Sequence, residues 1–163
     1  MEIPDLLVKT LMKIPWFLEL TPGHLDKLAG ISDTCQLPPG ELLFSEGDPA
    51  NCLYILLEGE LALETFVPSQ GGVRIFTAEP LDIIGFSALT PVVRQRTATA
   101  RALTPIQLIC FNGQMLRQLC DEDHDLGYII MRRIANVTAS RLLTTRLQLF
   151  DIIHQLQTAH PVR

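Results

Sequence analysis

Two short stretches of this chain carry residue types suited to chemistry: Ile84-Gly85-Phe86-Ser87-Ala88-Leu89 and, six residues further on, Arg96-Thr97-Ala98-Thr99-Ala100. A glycine lets backbone come close to a bound molecule, and the start of a short helix behind it presents unpaired N–H groups to an anion. A guanidinium can grip two phosphate oxygens at once. The chemistry is capture of an anion rather than bond cleavage. On the residues alone, Arg94, Arg96 and Arg101 also fit the plainer reading of solvated arginines along a β edge. Alternation places Thr97, Thr99 and Arg101 on one strand face and Ala98, Ala100 and Ala102 on the other, so Arg96 falls on or just before the small-residue face.

Other chemistries find no footing. Gly-x-Ser-x-Gly, His-Glu-x-x-His and Gly-x4-Gly-Lys are absent, so no catalytic residues and no enzyme are expected. His24, His124, His154 and His160 fit no metal-ligand spacing, and there is no C-x-x-C pair. Asp121-Glu122-Asp123-His124-Asp125 lacks the Gly and Glu of a calcium loop and reads as an acidic helix start. Asn136-Val137-Thr138 fits a glycosylation triplet but falls mid-helix. Cys35, Cys52, Cys110 and Cys120 stand widely apart and read as reduced, packed thiols. A net charge of -5 opposes direct DNA binding. The longest apolar run, Cys52 to Leu57, is far too short to span a membrane, and no leader pattern opens the chain, so a cytoplasmic location is expected.

The elements that must position these residues change character along the chain. Ile3, Leu6, Leu7 and Leu11 recur at helical spacing behind Pro4, and Leu25, Leu28 and Ile31 follow a Thr21-Pro22 helix start. From Pro38 onward short β-prone runs take over: Leu42–Phe44, Cys52–Leu57, Glu60–Phe66, Val73–Thr77, Thr97–Leu103 and Ile106–Phe111. Turn residues punctuate them, among them Gly40, Gly47, Gly59 and Thr104-Pro105, which argues for an antiparallel barrel or sandwich. After Asn112 the helical period returns. From Asp125 to about Gln157 nothing breaks a helix of about 30 residues and roughly 45 Å. Leu142, Leu149 and Leu156 repeat every seven residues with Thr145 and Ile152 beside them, while Leu143, Leu147, Phe150 and Ile153 line a flank. This seam predicts a homodimer, against the alternative of a helix lying wholly on its own barrel.

Gly47-Asp48-Pro49-Ala50-Asn51-Cys52-Leu53-Tyr54-Ile55-Leu56-Leu57-Glu58-Gly59 resembles the first signature of the cyclic-nucleotide-binding domain family, which includes the bacterial catabolite activator and the regulatory subunit of protein kinase A. That segment reads as a fold element without a ligand role. The Gly85 and Arg96 stretches resemble the family's phosphate-binding cassette, and Trp16-Phe17 after Ile14-Pro15 looks like its opening hydrophobic plug. The resemblance implies a mainly β fold with flanking helices. Its centre is an antiparallel β-roll (a double-stranded β-helix or jelly-roll), with N-terminal helices and a long C-terminal dimerisation helix. The expected organisation is a single domain over 1–163, with N-terminal helices 1–34, the roll 35–112 and C-terminal helices 113–160. The implied ligand is cyclic AMP (cAMP) or cyclic GMP (cGMP). In the resemblance Gly85, Ser87 and Ala88 match the backbone-donor turn with Phe86 at the ribose position among them, Arg96 matches the phosphate arginine, Thr97 the adjacent hydroxyl, and Thr145 a contact from the long helix across the dimer. Two departures stand out. Phe86 occupies the place of the family's ribose-binding Glu, and Leu81 precedes Asp82 where Gly is usual. The expected function is a small-ligand sensor that signals through its dimer to a separate, unidentified partner protein. The alternative is a ligand-free dimerisation scaffold with a degenerate pocket.

Overall fold

The computed structural model describes residues 3–90 and 92–159, with side chains from Leu7. His160 and the side chains of Ile3 and Leu6 lie outside the described residues. The chain divides into two compact units, residues 1–130 and 131–163.

In the first unit, helix α1 (Ile3–Leu11) buries Leu7 and Leu11. A turn of 3₁₀ helix (Pro15–Phe17) then buries Ile14 and Phe17, the expected plug. Helix α2 (Pro22–Gly30) starts on a reciprocal cap: Thr21 Oγ1 accepts the His24 amide at 3.2 Å, and His24 Nδ1 accepts the Thr21 amide at 3.3 Å. Two of the orphan donors at the helix start are thereby satisfied.

Eight strands follow: β1 (Ser32–Leu37), β2 (Leu42–Phe44), β3 (Cys52–Glu58), β4 (Leu61–Val67), β5 (Gly71–Ala78), β6 (Ile83–Ile84), β7 (Thr99–Ala102) and β8 (Ile106–Asn112). They form two antiparallel four-stranded sheets in the orders β1-β8-β3-β6 and β2-β7-β4-β5. This is the expected β-roll with flanking helices. β7 starts at Thr99 where the sequence predicts Thr97, and two further strands depart from the sequence reading. β1 begins at Ser32, inside the stretch read as helical to residue 34, and β6 is a two-residue strand that the turn-rich sequence around it hides.

Leu56, Leu61, Leu63, Ala78, Ile84, Ala98, Ala100, Ala102, Ile106 and Leu108 make one buried cluster inside the roll. The alternate residues Leu53, Ile55, Ile109 and Phe111 are buried on the other face of β3 and β8, with Phe17 edge-on to Phe111 at 6.5 Å. The central strands are thus covered on both faces, which explains their continuous apolar runs. At the β3–β4 hairpin a glycine is obligatory: Gly59 has φ 83°, and a Cβ there would overlap the Pro105 carbonyl oxygen.

Helix α3 (Gly113–Glu122) begins on Asn112, whose side chain accepts the Met115 amide at 3.0 Å. Asp123 separates it from α4 (His124–Ala159), and Asp123 Oδ1 caps the Leu126 amide at 3.2 Å. Asp123 Oδ2 also accepts from Lys27 Nζ of α2 at 2.6 Å. The second unit consists of α4 from Met131 onward. Along it Leu142, Leu143, Leu147, Leu149, Phe150, Ile152, Ile153 and Leu156 are all exposed. At 3.6 residues per turn these side chains span an arc of roughly 220°, about twice the stripe that one helix contact covers. No helix among the described residues is long and apolar enough to cross a membrane.

Candidate functional site

The site is built where β6 ends. Gly85 turns left-handed (φ 76°) and leads into one turn of 3₁₀ helix, Phe86–Leu89. Glycine is required twice over here. Its φ disfavours a side chain, and a Cβ would overlap Nη1 of Arg96 and lie 3.0 Å from the Cys52 carbonyl oxygen. Ser87, Ala88 and Leu89 are buried, and Phe86 is half-buried.

Arg96 comes from the loop before β7, between exposed neighbours, yet its own exposure is only 4%. Thr97 and Ala98 form a bend and β7 begins only at Thr99, so Arg96 reaches inward from the loop ahead of the strand and not from its alternating face. Nη1 donates to the Gly85 carbonyl at 3.1 Å and Nη2 to the Cys52 carbonyl at 2.8 Å. The guanidinium carbon sits 4.3 Å from the Phe44 ring centroid and 5.5 Å from that of Tyr54, and those two rings stack on each other at 6.1 Å. Nε is buried without a hydrogen-bond partner, and no carboxylate among the described residues pairs with the charge. A guanidinium cannot shed its charge to escape burial. Burial lowers its pKa from the ordinary arginine value, opposed by nearby Tyr54. Burial likewise pushes the Tyr54 phenol up, and it pushes the Cys110 thiol up to about 12.

The loop after β2 holds the Arg96 backbone. The Arg96 amide donates to the Asp48 carbonyl at 2.8 Å, its carbonyl accepts the Gly47 amide at 2.9 Å, and the Ala50 amide donates to the Arg94 carbonyl at 2.9 Å. Asp48 Oδ2 accepts the Ser45 amide at 2.8 Å and tightens that turn. The first signature segment therefore does more than shape the fold, since it fixes the strand entry from which Arg96 reaches inward.

An enclosed cation with an idle donor beside a left-handed backbone turn is an arrangement that can receive an anionic group. Gly85, Phe86, Ser87, Ala88 and Arg96 stand together as the sequence implied. Thr97 is exposed. Thr145 belongs to the second unit, is exposed, and donates its hydroxyl to the Arg141 carbonyl one turn back at 2.9 Å. Leu81, where the family usually has Gly, is held at φ 78°. The fold keeps the left-handed backbone there even without the residue that adopts it freely, at a cost of about 1–2 kcal/mol.

Sequence reasoning did not mark Phe44, Tyr54 or the Cys52 carbonyl. Tyr54 was within reach, because it alternates with Leu56 and Cys52 on the roll-facing side of β3.

The two sheets and their flanking helices define a β-roll domain. Residues 34–123 match the family model described as cyclic nucleotide-binding domain, and the chain belongs to that family. A Geobacter metallireducens chain assigned to cyclic nucleotide-binding proteins is 30% identical, with a TM-score of 0.71 over 87% of this chain and 99% of that one. The sensor domain of the transcriptional regulator DNR from Pseudomonas aeruginosa shares the fold, with a TM-score of 0.70 over 87% of this chain and 95% of that one at 24% identity. The CRP-like cAMP-activated global transcriptional regulator of Mycobacterium tuberculosis is 25% identical over 84% of this chain and 59% of its own length. The global nitrogen regulator of Synechococcus elongatus is 25% identical over 74% and 53%. The chain spans about three fifths or less of the curated relatives it matches.

Proposed function

We propose that this chain is a regulatory sensor without catalytic activity, which captures a cyclic nucleotide or related phosphate ligand at Arg96 and passes the event to a partner protein. The observation that carries this reading is the buried guanidinium with an unpartnered Nε beside left-handed Gly85. A phosphate supplies the negative charge that the cradle lacks. Its oxygens would take over donors now spent on the Gly85 and Cys52 carbonyls, with Ser87 and Ala88 lining the turn. The cAMP-activated relative supports the ligand class. The 142–149–156 seam supports a homodimer, with Thr145 on the same face, and the 143–147–150 strip remains for the partner. The module works in the cytoplasm, and its net charge of -5 opposes direct contact with DNA.

A thermal melt with millimolar cAMP and cGMP tests it. Ligand at about 100 times its dissociation constant stabilises by roughly 2.7 kcal/mol, which raises the melting temperature by about 5–10 °C in a chain of this size. Arg96→Met, which keeps the apolar stem against Phe44, abolishes the shift. No shift with either nucleotide, or an equal shift in the variant, refutes the reading.

One observation favours a ligand-free scaffold instead. The guanidinium already donates to two carbonyls, and Phe86 cannot accept a ribose hydroxyl, so the cradle is closed on itself. Phe86→Glu separates the two readings. A gain of about ten- to hundredfold in nucleotide affinity, the value of one charge-assisted bond, shows a pocket otherwise complete. No gain leaves the scaffold.

A further inference from the structure

Viewed down its axis, the exposed length of α4 carries its large apolar side chains in two stripes rather than one. At about 100° per residue, Ile152, Leu156, Leu149, Leu142 and Ile153 cover about 100° of the circumference, and Phe150, Leu143 and Leu147 cover about 60° further round. Arg146 and Gln157, both exposed, fall in the gap between them, close to the middle of the whole apolar arc. That placement decides what the helix meets. A helix lying in a lipid surface keeps charge away from the centre of its apolar face, whereas a helix with two protein neighbours can hold a charged residue between the two contacts. Leu143, Leu147 and Phe150 stand four and then three residues apart, the spacing that one partner helix fills. All three are more than half exposed.

Charge narrows the choice of neighbour. The chain as a whole has a net charge of -5, yet α4 from Met131 onward carries Arg132, Arg133, Arg141 and Arg146 against a single carboxylate, Asp151. A second copy would bring the same surplus of arginines to the stripe, so the complement is an acidic surface. We infer that Leu143, Leu147 and Phe150 dock an amphipathic helix of the partner protein, whose apolar stripe is edged by carboxylates that Arg146 selects. The centres of the two stripes lie about 140° apart round the helix. A dimer formed on the Leu142–Leu149–Leu156 stripe therefore leaves the second stripe facing outward, and each chain takes one partner helix. Calling this surface the output of the sensor rests on the sensor reading; the docking itself does not.

Fluorescence anisotropy on the full chain tests this with two labelled synthetic helices of about three heptads, both with leucine at a and d, one with glutamate and the other with lysine at e and g. Wild type binds the glutamate helix at one per chain and at least about tenfold more tightly than the lysine helix, with an affinity that falls as salt rises. Leu147→Ser combined with Phe150→Ser, both at exposed positions, abolishes that binding. Arg146→Glu brings the two helices to comparable affinity. Leu149→Glu, on the dimer stripe, still takes one glutamate helix per chain. Equal affinity of wild type for the two helices, or no binding of the glutamate helix, overturns the proposal. Binding that survives the double variant but is lost with Leu149→Glu overturns it too, because the helix then sits on the other stripe. A wild-type tetramer that the double variant reduces to a dimer assigns the stripe to a second copy. Flotation with vesicles of equal parts phosphatidylserine and phosphatidylcholine, lost in the double variant, assigns it to lipid; either result overturns the partner helix. None of these titrations contains nucleotide. A chain that ignores cAMP in the melt yet takes the glutamate helix loses the sensor reading and keeps this one, and the reverse pair of results does the opposite.

Discussion

Replacing Gly85 by alanine measures how tightly the cradle is closed, and Gly40 supplies the control. Both glycines are left-handed, at φ 76° and 88°. A Cβ on Gly40 meets nothing within 4 Å, whereas one on Gly85 overlaps Arg96 Nη1 and comes within 3.0 Å of backbone at Cys52. Left-handed alanine costs about 1–2 kcal/mol, of which about 0.4–1 returns through the stiffer unfolded chain, so Gly40→Ala loses roughly 1 kcal/mol. Gly85→Ala pays the same strain and also expels the guanidinium from two carbonyls. Each such bond is worth up to about 1.5–3 kcal/mol, and part of that returns as the charge reaches water, so the total loss is about 2–4 kcal/mol. Urea unfolding followed by circular dichroism reads both losses, provided the slope m is unchanged. The decisive comparison is a double-mutant cycle. In an Arg96→Met background the guanidinium's share of the obstruction is gone, and Gly85→Ala should cost less than in wild type but more than Gly40→Ala, because the Cys52 carbonyl oxygen still lies 3.0 Å from the new Cβ. Equal losses from Gly85→Ala in both backgrounds would show that the guanidinium does not rest against Gly85, and the cradle as described would be wrong.

Leu149→Glu, in the middle of the exposed seam, converts a dimer to a monomer in light scattering coupled to size exclusion; a wild-type monomer refutes the seam. The hydrogen bond from Lys27 and the cap on the Leu126 amide hold the Asp123 carboxyl below its usual range. Because that pKa is depressed on folding, its stabilisation is complete above the ordinary carboxylate value near 4 and disappears as pH falls through the folded value. Asp123→Asn, which keeps an acceptor for the Leu126 amide but loses the charge, therefore flattens the acid limb of stability below about pH 4; an unaltered limb refutes the assignment. Burial pushes the Cys110 thiol up to about 12 and the Cys120 thiol up to about 11. At pH 8 iodoacetamide, read by peptide mass spectrometry, should modify Cys120 about a hundredfold and Cys110 about a thousandfold more slowly in the folded chain than in urea; comparable rates would place them in open surroundings.

What could be read from the residues follows what each physical signal encodes. The paired strands β3 and β8 were legible because burial on both faces leaves unbroken apolar runs, and α4 because nothing in it breaks a helix. β1 was not, because Ser32, Asp33, Thr34 and Gln36 sit on a sheet edge where half the positions face water, so the strand has no apolar alternation to show. Arg96 was legible through the motif, and Gly85 through its need for backbone freedom. The partners of Arg96 were hidden for a different reason: they are carbonyl oxygens of Gly85 and Cys52, and any residue type supplies a carbonyl. The same holds for Arg117, whose acceptor is the backbone of Ala88. Side-chain identity records such bonds only where a Cβ would obstruct them. Gly85, whose added Cβ would press on Arg96 Nη1, and Gly113, whose added Cβ would press on the Asn51 carbonyl oxygen and the Ala88 Cβ, are therefore where the sequence records the close packing around the cradle.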